Sequence, residues 1–149
     1  MTEFETVDDT CVRIAAFPMR VELGKLREFA RATGCPDGPV FDTDDPVILP
    51  TFLTTMVFWR PADAPLPHQH LGFDEHRILH GEEEYRFSDV AVRAGDTLDV
   101  EVYVPPATSK QGKRGGTMRF GVAITNFRDP GGALVAQSRT TIIETGSTP

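Results

Sequence analysis

Apolar residues recur at two spacings along this 149-residue chain, and the change of spacing divides it. From Glu22 the stretch ELGKLREFARATG sets Leu23, Leu26, Phe29 and Ala30 three and four positions apart, with Lys25, Arg27, Glu28 and Arg31 on other faces. That spacing predicts a helix with one buried stripe, and Gly34 is a natural stop. The Pro-, Gly- and Asp-rich CPDGPVFDTDDP cannot continue a helix and predicts a loop. Pro50 then precedes TFLTTMVFW, which is apolar on every side. Such a run is a fully buried helix or a central strand, and proline at the first turn favours the helix. PADAPLPHQHLGFDEHR reads as an irregular surface excursion that returns the chain to a sheet.

From Leu79 the period falls to two. LHGEEEYRFSDV, TLDVEVYVPPAT, GTMRFGVAITNF and ALVAQSRTTIIE alternate with β-branched and aromatic residues, separated by AGD, SKQGKRGG and RDPGG. In the third, Met118, Phe120, Val122, Ile124 and Asn126 share one face. Short turns between long strands predict antiparallel neighbours, so the expected architecture is α+β: helices first, then a meander packed on the buried one. The length suits a single domain over residues 1–149, and no internal repeat or low-complexity tract interrupts it.

Composition narrows the function classes. With 15 basic and 22 acidic residues the formal charge is −7, which argues against wholesale nucleic-acid binding. Cys11 and Cys35 fit no CxxC or zinc spacing, and the acidic MTEFETVDD is unlike a secretion signal, so a cytoplasmic protein is expected. No run approaches the roughly 18 apolar residues of a membrane span. The nucleophile elbow GxSxG, the P-loop and the dinucleotide GxGxxG have no counterpart, so no cofactor is implied. His68 and His70 flank Gln69, with no carboxylate or cysteine at ligand spacing, so no metal is expected. Asp42, Asp44 and Asp45 read as turn and capping residues rather than a calcium loop.

Four short motifs occur in order: LPTF at 49–52, HGEEEYRF at 80–87, VRAGDTL at 92–98 and KRGG at 113–116. Together they resemble the MaoC-like, or FAS1-like, dehydratase N-terminal domain, over a core of about residues 14–144. The resemblance implies a hot-dog fold, an antiparallel sheet wrapped around a central helix. It also implies kinship with R-specific enoyl-CoA hydratases and 3-hydroxyacyl dehydratases, lyases that add or remove water next to a thioester. Catalytic members resemble FA..SGD.NP.H after the first helix, where an Asp and a His hold one water and pass its protons, and a backbone amide stabilises the enolate-like oxygen.

This chain keeps Phe29, Ala30 and Gly34 of that pattern and then departs. Cys35 stands in the Asp position and Phe41 in the His position, with Gly38 lengthening the loop by one residue. A thiol without a neighbouring imidazole or helix N-terminus is mostly neutral near pH 7, and a phenyl ring transfers no proton. The resemblance therefore implies a supporting subunit of a heteromeric hydratase or dehydratase, a heterodimer or dimer of heterodimers. Its partner would be a catalytic MaoC-like subunit that supplies the Asp and His, and its substrate an acyl thioester of CoA or acyl carrier protein. Phe41, Pro50, Thr51, Phe52, Met56, Trp59 and His80 are candidates to line the acyl tunnel. Lys110, Lys113 and Arg114 are candidates for the phosphates of CoA or the acidic face of a carrier protein.

Two further readings stay open. The chain also reads as a self-sufficient hot-dog hydratase or thioesterase, with His80 paired to Glu82 or Asp42, or as an acyl-CoA-binding module. Because Glu82, Glu83 and Glu84 are consecutive, period two divides them between faces, and one must point inward or toward a partner. The acyl class, fatty, polyketide or steroid, is not written in these side chains.

Overall fold

The computed structural model describes residues 3–112 and 116–146. Its first regular element is a strand, β1 (Val12–Arg20), which puts Ala15, Phe17 and Met19 into the core by simple alternation. This corrects the expectation of helices first. Pro18 sits within β1 because β1 is an edge strand, where a missing N–H can face solvent.

Helix α1 (Leu23–Ala32) follows with Leu26 and Ala30 fully buried, and Gly34 ends it at a φ of 81°, a left-handed conformation that only glycine adopts freely. Phe29 meets Phe52 edge to face at 5.6 Å between ring centroids. The loop beyond α1 is tied back by Arg27, whose guanidinium donates to the carbonyls of Val40 at 3.3 Å and Thr43 at 3.1 Å.

Residues Phe52–Phe58 form a 3-10 helix that is buried on one side only. Phe52 and Leu53 are fully enclosed, whereas Val57 is 54% exposed and Phe58 70% exposed. The fully buried helix expected here is thus half covered by its own chain. Within the excursion, α2 (Pro67–His70) and a short turn over Glu75–Arg77 lead into the sheet.

The remaining strands are β2 (Ile78–Phe87), β3 (Thr97–Val104), β4 (Thr108–Gln111), β5 (Thr117–Arg128) and β6 (Leu134–Glu144). All pairings are antiparallel, and the order is β1-β3-β5-β6-β2, with β4 hydrogen-bonded to β5 off this path. The chain is therefore not a plain meander. β2 crosses to the far edge and pairs with β6, because the loop after Phe87 carries the chain back across the sheet to β3. The core lies between one face of the sheet, supplied by Val100, Val102, Ala123, Phe127 and Ala136, and the layer of α1 and the 52–58 turn.

Residues near the N-terminus cover part of the other face. The Glu5 backbone exchanges two hydrogen bonds with the Gln137 amide, at 2.7 and 2.9 Å, and Gln137 also donates to Asn126 at 2.9 Å. Gln137 and Asn126 are buried, so this network satisfies polar groups that would otherwise be costly there.

Candidate functional site

A cavity of about 300 Å³ opens between the sheet and the turn that covers it. Its floor is the core face of the sheet, formed by Val102 of β3, Ala123 and Thr125 of β5, and Ser138, Thr140 and Ile142 of β6. Thr54, Met56 and Val57 form the roof, and Arg60, Leu66, Pro67 and His68 of the excursion form one side. The other side is the edge strand β2, through Ile78, Leu79, His80, Glu83 and Tyr85. The floor is buried except at half-buried Thr140, while Val57, Leu66 and Leu79 at the rim are 40–55% exposed, so the cavity is an apolar slot with an apolar lip.

The strand geometry of β2 decides which groups face the slot. Between His80 and Glu82 the register against β6 slips by one residue, a bulge centred on Gly81. A Cβ on Gly81 would lie 2.9 Å from Ile143 Cδ1 and 3.3 Å from the Thr141 carbonyl oxygen, so a larger residue there would require the Ile143 side chain to shift. The extra residue sends His80 and Glu83 to the same side, with His80 Nε2 3.2 Å from Glu83 Oε2. Glu82 turns outward, 3.9 Å from Arg139, and Glu84 bonds Arg86 at 2.8 Å.

Tyr85 stands beside Glu83 in the lining. Burial, and then the neighbouring Glu83 charge, push its phenol up to about 12, so at neutral pH it is an uncharged O–H donor. The excursion is locked to the sheet by Glu144, whose carboxylate accepts from the Asp74 backbone N–H at 2.7 Å, from Arg119 at 3.1 Å and from Arg77 at 3.2 Å. Arg119 in turn stacks on Phe73 at 4.4 Å. Gly121 leaves room for this loop, since a Cβ there would fall 2.3 Å from Leu71 Cδ1.

Of the candidate tunnel residues, the cavity lining includes Met56 and His80. Phe52 is instead enclosed in the core against Phe29. Phe41 is half-buried at the core margin, with Arg31 4.8 Å over its ring, and Trp59 packs on the core outside the lining. Pro50 and Thr51 are exposed ahead of the turn, because the chain enters it from the solvent side. Cys35 is exposed at the end of α1, outside the lining. Asp42 lies exposed in the same loop, and His80 is paired with Glu83 rather than with Asp42 or Glu82. Lys110 is exposed on β4, and Lys113 and Arg114 lie outside the described residues.

The sequence leaves open which of Glu82, Glu83 and Glu84 points inward, and it does not single out Tyr85 or the hydroxyl-bearing floor of Thr125, Ser138 and Thr140. The signal for the floor is the regular alternation along β5 and β6, whereas that for Glu83 and Tyr85 on β2 becomes readable only once the bulge at Gly81 is known. Among the described residues no three His, Cys, Asp or Glu side chains gather as metal ligands, and no helix is long and apolar enough to cross a membrane.

Comparison with known proteins agrees with this architecture. One chain of the C-terminally truncated HadBC (3R-hydroxyacyl-ACP dehydratase) complex from Mycobacterium tuberculosis is similar with a TM-score of 0.68 and 21% identity, over 92% of this chain and 98% of that chain. A chain of the ChsH1-ChsH2 complex from the same organism gives a TM-score of 0.64 and 15% identity, over 93% and 90% of the two chains. The (R)-hydratase from A. caviae involved in PHA biosynthesis gives 0.57 and 16%, over 93% and 98%. At these identities the likeness concerns the fold, which is the hot-dog fold of these proteins. No curated protein sequence matches the chain. The family model described as "FAS1-like, dehydratase domain region" does match, over residues 9–138, and the chain belongs to that MaoC-like family of hot-dog dehydratase domains.

Proposed function

We propose that this chain is the supporting subunit of a heteromeric R-specific enoyl-thioester hydratase or 3-hydroxyacyl-thioester dehydratase. The observation that carries the reading is the loop after α1. By the resemblance to the catalytic pattern, Cys35 and Phe41 stand in the positions of the proton-transferring Asp and His; the first is exposed and the second packs at the core margin. Neither residue can hold a water between two ionisable groups. The role left to this chain is to bind the acyl group in its slot and keep water from it, while a partner chain supplies the acid and base.

The surface around the slot supports a partner. β2 is an edge strand ten residues long, and among the described residues no strand pairs with its outer side. Beside it stand Leu79, Leu66 and Val57, all exposed apolar side chains on the lip. A second hot-dog chain pairing along β2 would cover edge and lip together. Two of the similar structures are complexes of two named components, HadBC and ChsH1-ChsH2.

The His80–Glu83 pair favours a second reading, a chain with its own acid and base at the rim of the slot. One comparison separates the two. Hydration of a trans-2-enoyl-CoA is followed with the chain alone and with the complex that co-purifies with it. The proposed reading expects turnover from the complex and none from the chain alone, and robust turnover by the chain alone establishes the second.

A further inference from the structure

One arginine stands in the lining of the slot, and among the described residues no carboxylate lies within ion-pair distance of it. Arg60 lines the slot from the segment just after the 52–58 turn, half-buried, and its guanidinium donates to the Pro65 carbonyl. Arg77, Arg119 and Arg139 each lie within ion-pair distance of a carboxylate, whereas among the described residues Arg60 has none. Burial alone moves its pKa, downward, and no neighbouring acid opposes that shift. The one carboxylate in the lining, Glu83, is in hydrogen-bond contact with His80 and not with Arg60.

A guanidinium held against apolar side chains is costly unless an anion meets it, and its planar fork suits a carboxylate or phosphate in two parallel hydrogen bonds. The position matters as much as the charge. Arg60 and His68 belong to the part of the lining that the excursion supplies together with exposed Leu66, whereas buried Val102 and Ala123 belong to the sheet. A ligand with its chain on that floor would place a terminal group beside Arg60.

We infer that the slot binds amphipathic anions, with an apolar chain over the sheet and a carboxylate or phosphate on Arg60. The inference rests on reading the slot as the acyl site and adds the recognition of charge at its rim. Two sources share this chemistry: a phosphate on the carrier side of a thioester, or a carboxylate at the free end of an acyl chain. The first would move the phosphate contact from Lys110, which lies outside the lining, to Arg60.

Calorimetric titration of the full-length protein, in the assembly in which it purifies, tests this with decanoate, decyl phosphate and decanol. Both anions are expected to bind about tenfold or more tightly than the alcohol, the range of a hydrogen bond to a charged group. Arg60→Gln should abolish that preference without weakening decanol, and Arg60→Lys should retain part of it. Decanoyl-CoA, decanoyl-pantetheine and the half-thioester of decanedioic acid with pantetheine then separate the sources. Sensitivity to Arg60→Gln in the CoA ester alone assigns the phosphate, and in the half-thioester alone the carboxylate. Equal affinities for decanol and the anions would overturn the role of Arg60 and leave the slot as an acyl site. Absence of binding by all three would overturn both. Loss of the assembly in Arg60→Gln, seen by its mass, would assign Arg60 to a subunit interface instead.

Discussion

His80 and Glu83 are three residues apart on a strand and yet stand side by side, 3.2 Å between Nε2 and Oε2, at the rim of the slot. A regular strand would send them to opposite faces. The bulge at Gly81 brings them together, and the absence of a side chain at Gly81 leaves room there for Ile143. The pair is solvent-accessible, with the His80 side chain 61% exposed, as suits a rim contact rather than a desolvated acid–base device.

That arrangement gives the first prediction. In the complex with a catalytic partner, His80→Ala and Glu83→Gln should each lower kcat/KM for enoyl-CoA by no more than about threefold, whereas loss of a working general acid or base costs about 10²–10⁴-fold. Steady-state rates of the two variants decide between these ranges.

Phe52 separates a core residue from a tunnel residue. It is fully buried against Phe29, so Phe52→Ala should destabilise the fold by about 3–5 kcal/mol, as large-to-small changes of buried aromatics do. Urea unfolding of the variant and the parent measures this. Met56→Ala, in the roof of the slot, should instead change the preferred acyl length and leave more of the stability intact.

Much of this was legible beforehand, and the failures share a cause. The stripe of Leu26 and Ala30 on α1 and the alternation along β3, β5 and β6 are local patterns, and each stands where its period put it. β1 went unread although Ala15, Phe17 and Met19 alternate, because Pro18 breaks the local signal and the pairing that makes it a strand lies with β3, far along the chain. TFLTTMVFW reads as wholly buried because an all-apolar run says that something covers it, not that the same chain does. The partner of His80 was beyond period two altogether, since it depends on an inserted residue and on tertiary contact at Gly81.

Acid stability should depend on Glu144. The Asp74 backbone N–H first, and then Arg119 and Arg77, hold its carboxyl below the usual value of 4.5, although burial opposes them. A folded-state pKa below the unfolded one adds stability that is complete above the unfolded value and is lost as pH falls through the folded one. Thermal melts of the parent should therefore decline from about pH 4.5 downward. Glu144→Gln, less stable at pH 7, should decline less steeply over that interval, and parallel acid limbs would contradict the assignment.

The central claim is that this hot-dog chain works beside another that holds the acid and base. Native mass spectrometry of the tagged protein, purified gently from its own cells, tests it most directly. The account predicts a dimer, or a dimer of dimers, in which a second MaoC-like chain carries the intact Asp and His after its first helix. A mass equal to two copies of this chain alone, from a preparation that hydrates enoyl-CoA, would contradict it.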